Sequence, residues 1–195
     1  MNLKPVILEN EFVRLEPFSE GLQQEVRAAL DCDPAAWAGM VTAGCGPHFE
    51  VWWLSALKAM VAGTRIPYAV RRLSDGRVVG TSSLYEIRPD YRRCELGSTF
   101  YRPEARGGVI NPAAKRLLLG YAFDQGAVRV EIITDVRNDA SAAAIRKLGA
   151  RYEGLLLKHK ITWTGHIRDT VQFAILEDDW PQVRAGLDAR LMGSR

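Results

Sequence analysis

Residues 93 to 135 run strand, glycine loop, helix, strand, and no other stretch constrains the fold as tightly. "RCELGSTFY" (93–101) and "VRVEIITD" (128–135) have strand patterning, and between them lie a loop containing Gly107 and Gly108 and an apolar helix. Ala114, Leu117, Leu118, Tyr121 and Ala122 recur at i, i+3, i+4, i+7 and i+8, one buried stripe, and Gly126 stands where a C-terminal stop is expected. The reading makes Asn111 the N-cap and puts Pro112 at the first helical position, where its missing N–H costs nothing. A strand, a helix and a second strand form a crossover unit. The helix start leaves free N–H groups and partial positive charge, a ready anion site, and Arg106 adds a full charge there. An ordinary well-capped turn is the alternative.

On either side the pattern is antiparallel. Residues 11–17 alternate as a half-buried strand, and 18–30 read as a helix opened by Ser19. The Pro-, Gly- and Ala-rich stretch 31–49 reads as a flap with a short helix around Trp37. "FEVWWLSALKAMVAG" (49–63) is helical. "RIPYAVRRL" and "RVVGTSSLYEI" form a hairpin over Ser74-Asp75-Gly76. After the crossover come a short helix from Asn138 to Gly149, a long hairpin turning at Thr164-Gly165, and a closing amphipathic helix from Asp178. Residues 1–195 are therefore expected to form one α/β domain, a mixed, mostly antiparallel central sheet flanked by helices. In such sheets ligands bind beyond the carboxyl ends of strands where connections diverge, and the Gly-Gly loop lies at such an end.

Composition excludes several classes. Hydrophobic residues make up 47% and charged residues 25%, the balance of a globular domain. Lys and Arg number 26 against 23 Asp and Glu, with no long basic run, so nucleic acid is not the expected partner. The first twenty residues lack a secretory apolar core and no apolar run is long enough for a bilayer, so no membrane partner and a cytoplasmic location are expected. Cys32, Cys45 and Cys94 are scattered, which suggests buried thiols rather than a disulfide framework or metal cluster. His48, His159 and His166 show no metal-ligand spacing and read as surface residues, so no metal is expected.

The order of elements, the Pro-x-x-Arg-Gly loop opening one helix and Asn-x-x-Ser opening a second that ends in Lys-Leu-Gly resemble the GNAT superfamily of acyl-CoA-dependent N-acyltransferases. "YEGLLLKHK" and "IRDTVQFAILEDDW" resemble its RimJ/RimL branch, named for ribosomal-protein N-terminal acetyltransferases. The resemblance implies a GNAT-like sheet, acetyl-CoA as acyl donor and an amine acceptor, either a protein N-terminus or a small molecule. Homodimerisation through the last hairpin or helix is implied in the same way. It further implies that the loop Arg106-Gly107-Gly108-Val109-Ile110-Asn111 holds the pyrophosphate of coenzyme A. The family writes a glycine where Val109 stands and a small residue where Asn111 stands. Valine disfavours positive φ, so either the loop shifts onto Gly107 and Gly108 or phosphate binding weakens. The strand Ser98, Thr99, Phe100, Tyr101 would pair with the pantetheine arm. Asn138 opens the helix beside it, and Ser141 would donate a proton to the departing thiolate. Helix capping alone is the alternative for Asn138 and Ser141. The tyrosine acid that many members carry four residues after this serine is Ile145 here.

Acyl transfer to an amine requires a base, and Glu95 on the central strand is the first candidate, with Glu86 second. Alternation places Glu95 opposite Cys94, Leu96 and Ser98, where apolar neighbours would raise its pKa. A solvated carboxylate, or one paired with Arg92 or Arg93, is the other reading. Backbone N–H groups around Phe100 would hold the oxyanion. Tyr85, Trp37 and Trp163 are candidates for an acceptor groove, and Arg168 either holds an acidic substrate or faces solvent. Asp169 reads as structural. A non-catalytic acyl-CoA-binding domain is the rival function, motivated by Val109 and Ile145.

Overall fold

The computed structural model describes residues 1–193. Alternating apolar residues build eight strands: β1 (Leu8–Glu9), β2 (Val13–Pro17), β3 (Arg65–Arg72), β4 (Val78–Arg88), β5 (Arg93–Tyr101), β6 (Arg129–Asp135), β7 (Arg151–Ile161) and β8 (Ile167–Leu176). The amphipathic segments become α1 (Gln23–Leu30), α2 (Phe49–Val61), α3 (Ile110–Asp124), α4 (Asp139–Leu148) and α5 (Trp180–Met192). The strands form one sheet in the order β1-β2-β3-β4-β5-β6-β8-β7. Only β5 and β6, the ends of the crossover unit, run parallel.

Each face of the sheet has its own core. Leu15, Val70, Leu84, Cys94, Leu96, Val130, Ile132 and Phe173 pack against Ala114, Leu118 and Leu119 of α3, Ile145 of α4 and Leu187 of α5. On the other face Ala69, Val78 and Phe100 meet Val26 and Leu30 of α1 and Phe49, Trp52, Trp53 and Ala56 of α2. Because Cys94 and Leu96 belong to the first core, Glu95 between them faces the second side.

Several boundaries differ from the sequence reading. α3 begins at Ile110, not after Asn111, because Val109 already has αR backbone (φ −74°, ψ −22°) and its carbonyl accepts the first intrahelical bond from Ala113 N–H at 3.0 Å. Asn111 is thus the second helical residue and not the cap. Pro112 is the third, still among the first four positions, whose N–H groups have no intrahelical partner. Ser19 precedes a single 3₁₀ turn (Glu20–Leu22), its side chain caps nothing, and α1 starts only at Gln23. β1, two residues long, carried too little pattern to be read.

Residues 31–48 contain two 3₁₀ turns, Pro34–Trp37 and Gly46–His48. Trp37 is buried, stacks on Phe100 with ring centroids 5.0 Å apart and donates its indole N–H to Leu30 O at 3.3 Å. The Trp163 indole, in the β7–β8 turn, donates to Trp37 O at 2.8 Å. Cys45 and Cys94 are buried but Cys32 is exposed, which corrects one of the three thiol assignments. Among the described residues no group of His, Cys, Asp and Glu could hold a metal ion, and no helix is long and apolar enough to cross a membrane.

Candidate active site

The parallel pairing of β5 and β6 is short. It comprises Arg93 with Arg129, Cys94 with Val130 and Glu95 with Glu131, and there it ends. β6 continues alongside β8 as far as Asp135 opposite Thr170, while β5 stays with β4 up to Tyr101 opposite Gly80. The facing edges of Leu96–Tyr101 and Ile132–Asp135 therefore open as a wedge without a shared ladder. Such edge N–H and C=O groups need partners, and an extended ligand chain supplies them as another strand would.

A bulge in β5 deepens the wedge. Between Gly97 opposite Ser83 and Phe100 opposite Thr81 the strand carries one extra residue, and Ser98 there adopts φ +48°. A left-handed serine costs on the order of 1 kcal/mol or more and persists where its surroundings hold it. Arg65 does so here: its Nη2 donates to Ser98 Oγ at 2.9 Å and to Ser83 Oγ at 3.0 Å. Next to it, Thr99 Oγ1 and Ser82 Oγ share a hydrogen bond of 2.8 Å.

At the apex of the wedge, Glu95 lies directly opposite Tyr85 on β4, and the Tyr85 hydroxyl donates to Glu95 Oε1. Glu95 is 4% exposed. Burial pushes its pKa above the ordinary carboxylate range, and the Tyr85 hydrogen bond pulls part of the way back. Burial, with the charge of Glu95 added, holds the Tyr85 phenol well above its usual value. Gly97 makes the pair possible, since a Cβ there would stand 3.0 Å from the Tyr85 ring and hydroxyl. Both readings that kept Glu95 solvated or ion-paired fail. Arg93 pairs with Glu131 at 3.1 Å and Arg92 donates to Gly126 O at 2.8 Å. Glu86, the second candidate base, is exposed on a bulge of β4 and paired with Arg88 at 3.0 Å, although its charge still acts on Glu95.

The loop before α3 resolves the Val109 question geometrically. The positive φ falls on Gly107 (+74°), Gly108 does not need one, and Val109 is unstrained. Among the described residues Gly107, Gly108 and Val109 donate their N–H groups to no protein acceptor, no side chain caps the helix, and a Cβ on either glycine would meet nothing within 4 Å. These free donors at a helix start fit a phosphate. Arg106 does not add its charge freely, because it donates to Tyr101 O at 2.7 Å and pairs with Asp33 at 2.7 Å.

Asn138 is the N-cap of α4, its Oδ1 accepting from Ser141 N–H at 2.9 Å. Ser141 is half-buried, and its hydroxyl has no hydrogen-bond partner among the described residues. No hydrogen bond joins Ser141 to Glu95 among the described residues. Ile145 is buried in the apolar core of the first face. Asp169 is structural, accepting from Lys158 N–H at 2.7 Å. Trp163 is partly exposed beside His48, and Arg168 does not face solvent. The sequence reading missed the contact of Tyr85 with Glu95, because regular counting from Arg88 opposite Arg93 would pair Glu86 with Glu95 and only the β4 bulge brings Tyr85 into that place. It missed Arg65 altogether.

Comparison with known proteins identifies the family and the fold. Residues 13–151 match the model of the acetyltransferase (GNAT) domain family. YdaF of Bacillus subtilis (strain 168), named provisionally as a ribosomal N-acetyltransferase, is 28% identical over 109 residues, covering 55% of this chain and 58% of YdaF. The chain thus spans little more than half the length of that relative. The crystal structure of a GCN5-related N-acetyltransferase from Brucella melitensis superimposes with TM-score 0.88 at 27% identity, over 97% of this chain and 86% of that one. Mycobacterium smegmatis RimJ in complex with CoA-disulfide shares the fold, with TM-score 0.80 at 21% identity, over 97% of this chain and 96% of that one.

Proposed function

The chain belongs to the GNAT acetyltransferase domain family, and from that premise we propose that it transfers the acetyl group of acetyl-CoA to a primary amine, on a protein N-terminus or a small molecule, by direct attack in a ternary complex. The observation that carries the reading is a buried, tyrosine-bonded carboxylate at the apex of a wedge whose open edge leads to a helix start with free N–H groups. Acetyl-CoA, when bound, supplies an activated thioester. The residues of the chain do the rest. Backbone groups of Ser98–Tyr101 hold the pantetheine amides, and the N–H groups of Gly107, Gly108 and Val109, with the start of α3 at Ile110 and Asn111, receive the diphosphate. Glu95 accepts the proton that the ammonium must lose before it attacks, and burial, by raising its pKa, makes it a stronger base than an ordinary carboxylate. Tyr85 orients that carboxylate. As the C–N bond forms and the C–S bond breaks, the N–H near Phe100 stabilises the oxyanion, and Ser141, the free hydroxyl at α4, donates to the thiolate.

The test separates binding from chemistry. Acetyl-CoA at a hundred times its dissociation constant adds about 2.7 kcal/mol, which raises the melting midpoint by roughly 5–10 °C. Glu95→Gln is expected to keep that shift while lowering steady-state acetyl transfer about 10²–10⁴-fold. Unchanged turnover in both Glu95→Gln and Ser141→Ala would refute the catalytic assignment.

A further inference from the structure

The charges around Glu95 do not balance. Arg168 on β8 is 7% exposed, its Nε has no hydrogen-bond acceptor, and it makes no ion pair among the described residues. Alternation with Val171 and Phe173, which belong to the first core, puts Arg168 on the same face of the sheet as Glu95, and Asp135, Tyr85 and Glu95 lie close enough for their charges to act on it. Asp135 does not neutralise it, being held by Arg137 through two bonds of 2.8 and 3.0 Å. Lys160, opposite Arg168 across the β7–β8 pair, adds a second positive charge that acts on Glu95. Arg65 contributes a third: it is bound only to hydroxyls, and its guanidinium carbon lies 5.6 Å from the ring centroid of Trp52. Of the other acids whose charges act on Glu95, Glu131 is committed to Arg93 and Arg129, and Glu86 to Arg88.

A buried guanidinium without a counter-charge is costly, and it persists where a ligand completes it. The planar donor fork of arginine matches a carboxylate or a phosphate in two-point contact. We propose that the acceptor is a small amine that carries its own anionic group, a carboxylate or a phosphate, and that Arg168 binds that group while Glu95 faces the amine. The inference rests on the proposed acetyl transfer and names its substrate class. In the step the acceptor nitrogen bonds to the acetyl carbon and the thioester C–S bond breaks; of the two protons the nitrogen gives up, the first passes to Glu95 before attack and the second, released as the amide forms, replaces the one Ser141 hands to the departing thiolate. The product is an N-acetylated acid.

The experiment compares matched pairs: amino acids against their amides, and aminoalkyl phosphates against the corresponding amino alcohols, with a polyamine and a neutral peptide N-terminus as further acceptors. In the wild type, kcat/KM for the anionic member is expected to exceed that for its neutral partner about 10²-fold. Preference within the first pair or the second identifies carboxylate or phosphate. Arg168→Met should collapse the ratio mainly through KM for the anionic member, and Arg168→Lys should restore part of it. Equal or better use of neutral or cationic amines by the wild type overturns the proposal, even if Arg168→Met does not fold. Thermal shifts with the N-acetylated acid and its amide give a second readout independent of turnover. Stabilisation by the acid alone, lost in Arg168→Met, supports the proposal, and equal response to both overturns it. Absence of any shift with acetyl-CoA counts against acetyl transfer itself and is scored separately from the acid-against-amide comparison.

Discussion

Lys115 should be worth more to stability as a methionine. It lies in α3 between Ala114 and Arg116, is 9% exposed, and has no hydrogen-bond or ion-pair partner among the described residues. Burial alone pulls its pKa from 10.5 to about 7. The folded protein therefore favours the neutral amine, while the unfolded chain keeps the proton until near 10.5. Below about pH 7 the full penalty applies, and as pH rises from there toward 10.5 it is progressively relieved, so stability rises with pH across that window. At one pKa unit per 1.36 kcal/mol, the penalty is at most roughly 5 kcal/mol. Lys115→Met keeps the volume and removes the charge. It is expected to raise the melting midpoint at pH 7 by up to roughly 10–20 °C, with an advantage that shrinks by roughly 1.5–2 kcal/mol between pH 7 and 8.5. The upper limit avoids Cys94, which burial pushes up to about 12 and whose contribution above pH 9 has the opposite sign. Thermal unfolding of both proteins across this range makes the comparison, and groups common to both cancel in the difference. A variant less stable at pH 7, or a gap that does not vary with pH, would refute the idea of an unsolvated ammonium.

Tyr85→Phe removes the hydrogen bond that stabilises the Glu95 carboxylate, so the acid limb of the kcat/KM profile should move to higher pH, and stability should fall by about 1–3 kcal/mol. An unshifted limb would mean that Glu95 is not the group seen in the profile. Two glycines should respond differently to alanine. At Gly107 the added methyl meets open space and only the left-handed backbone is strained, so denaturant unfolding should show a loss of about 1–2 kcal/mol. At Gly80 the methyl would lie 2.1 Å from Phe100 O, a backbone atom that cannot swing aside, and the loss should be about 3 kcal/mol or more. Equal losses at the two positions would contradict this account.

The crossover unit, both hairpins and five helices were legible because each element carried its own periodicity, as in "RCELGSTFY" and Ala114-Leu117-Leu118-Tyr121. Glu95 was legible as a candidate because alternation placed it away from Cys94 and Leu96. The start of α3 was misread because Asn-Pro is a strong local start signal. The helix instead starts two residues earlier, after Val109, whose carbonyl reaches Ala113. Glu86 and Arg106 were misjudged for a different reason. Their partners, Arg88 across a bulge and Asp33 from a segment seventy residues away, depend on where the chain bends, and local pattern does not encode that. Arg65, Arg168 and Lys160 converge from three strands, so no spacing in the sequence joins them.

The short pairing of β5 with β6 also has a mechanical meaning. Among the described residues three residue pairs join β5 to β6 in the sheet, with one further bond from Val128 N–H to Arg92 O at 2.8 Å just before them. The two leaves are also braced by side chains: Arg93 of β5 holds Glu131 of β6 at 3.1 Å, and on the helical face Arg116 of α3 holds Asp188 of α5 at 2.6 Å and Phe123 stacks on Trp180 at 5.3 Å. Stiffness across this seam thus rests largely on side-chain contacts, with Glu95 on the last rung of the backbone ladder. A substitution that loosens the strut between α3 and α5 is expected to change the opening of the wedge without touching a single group inside it.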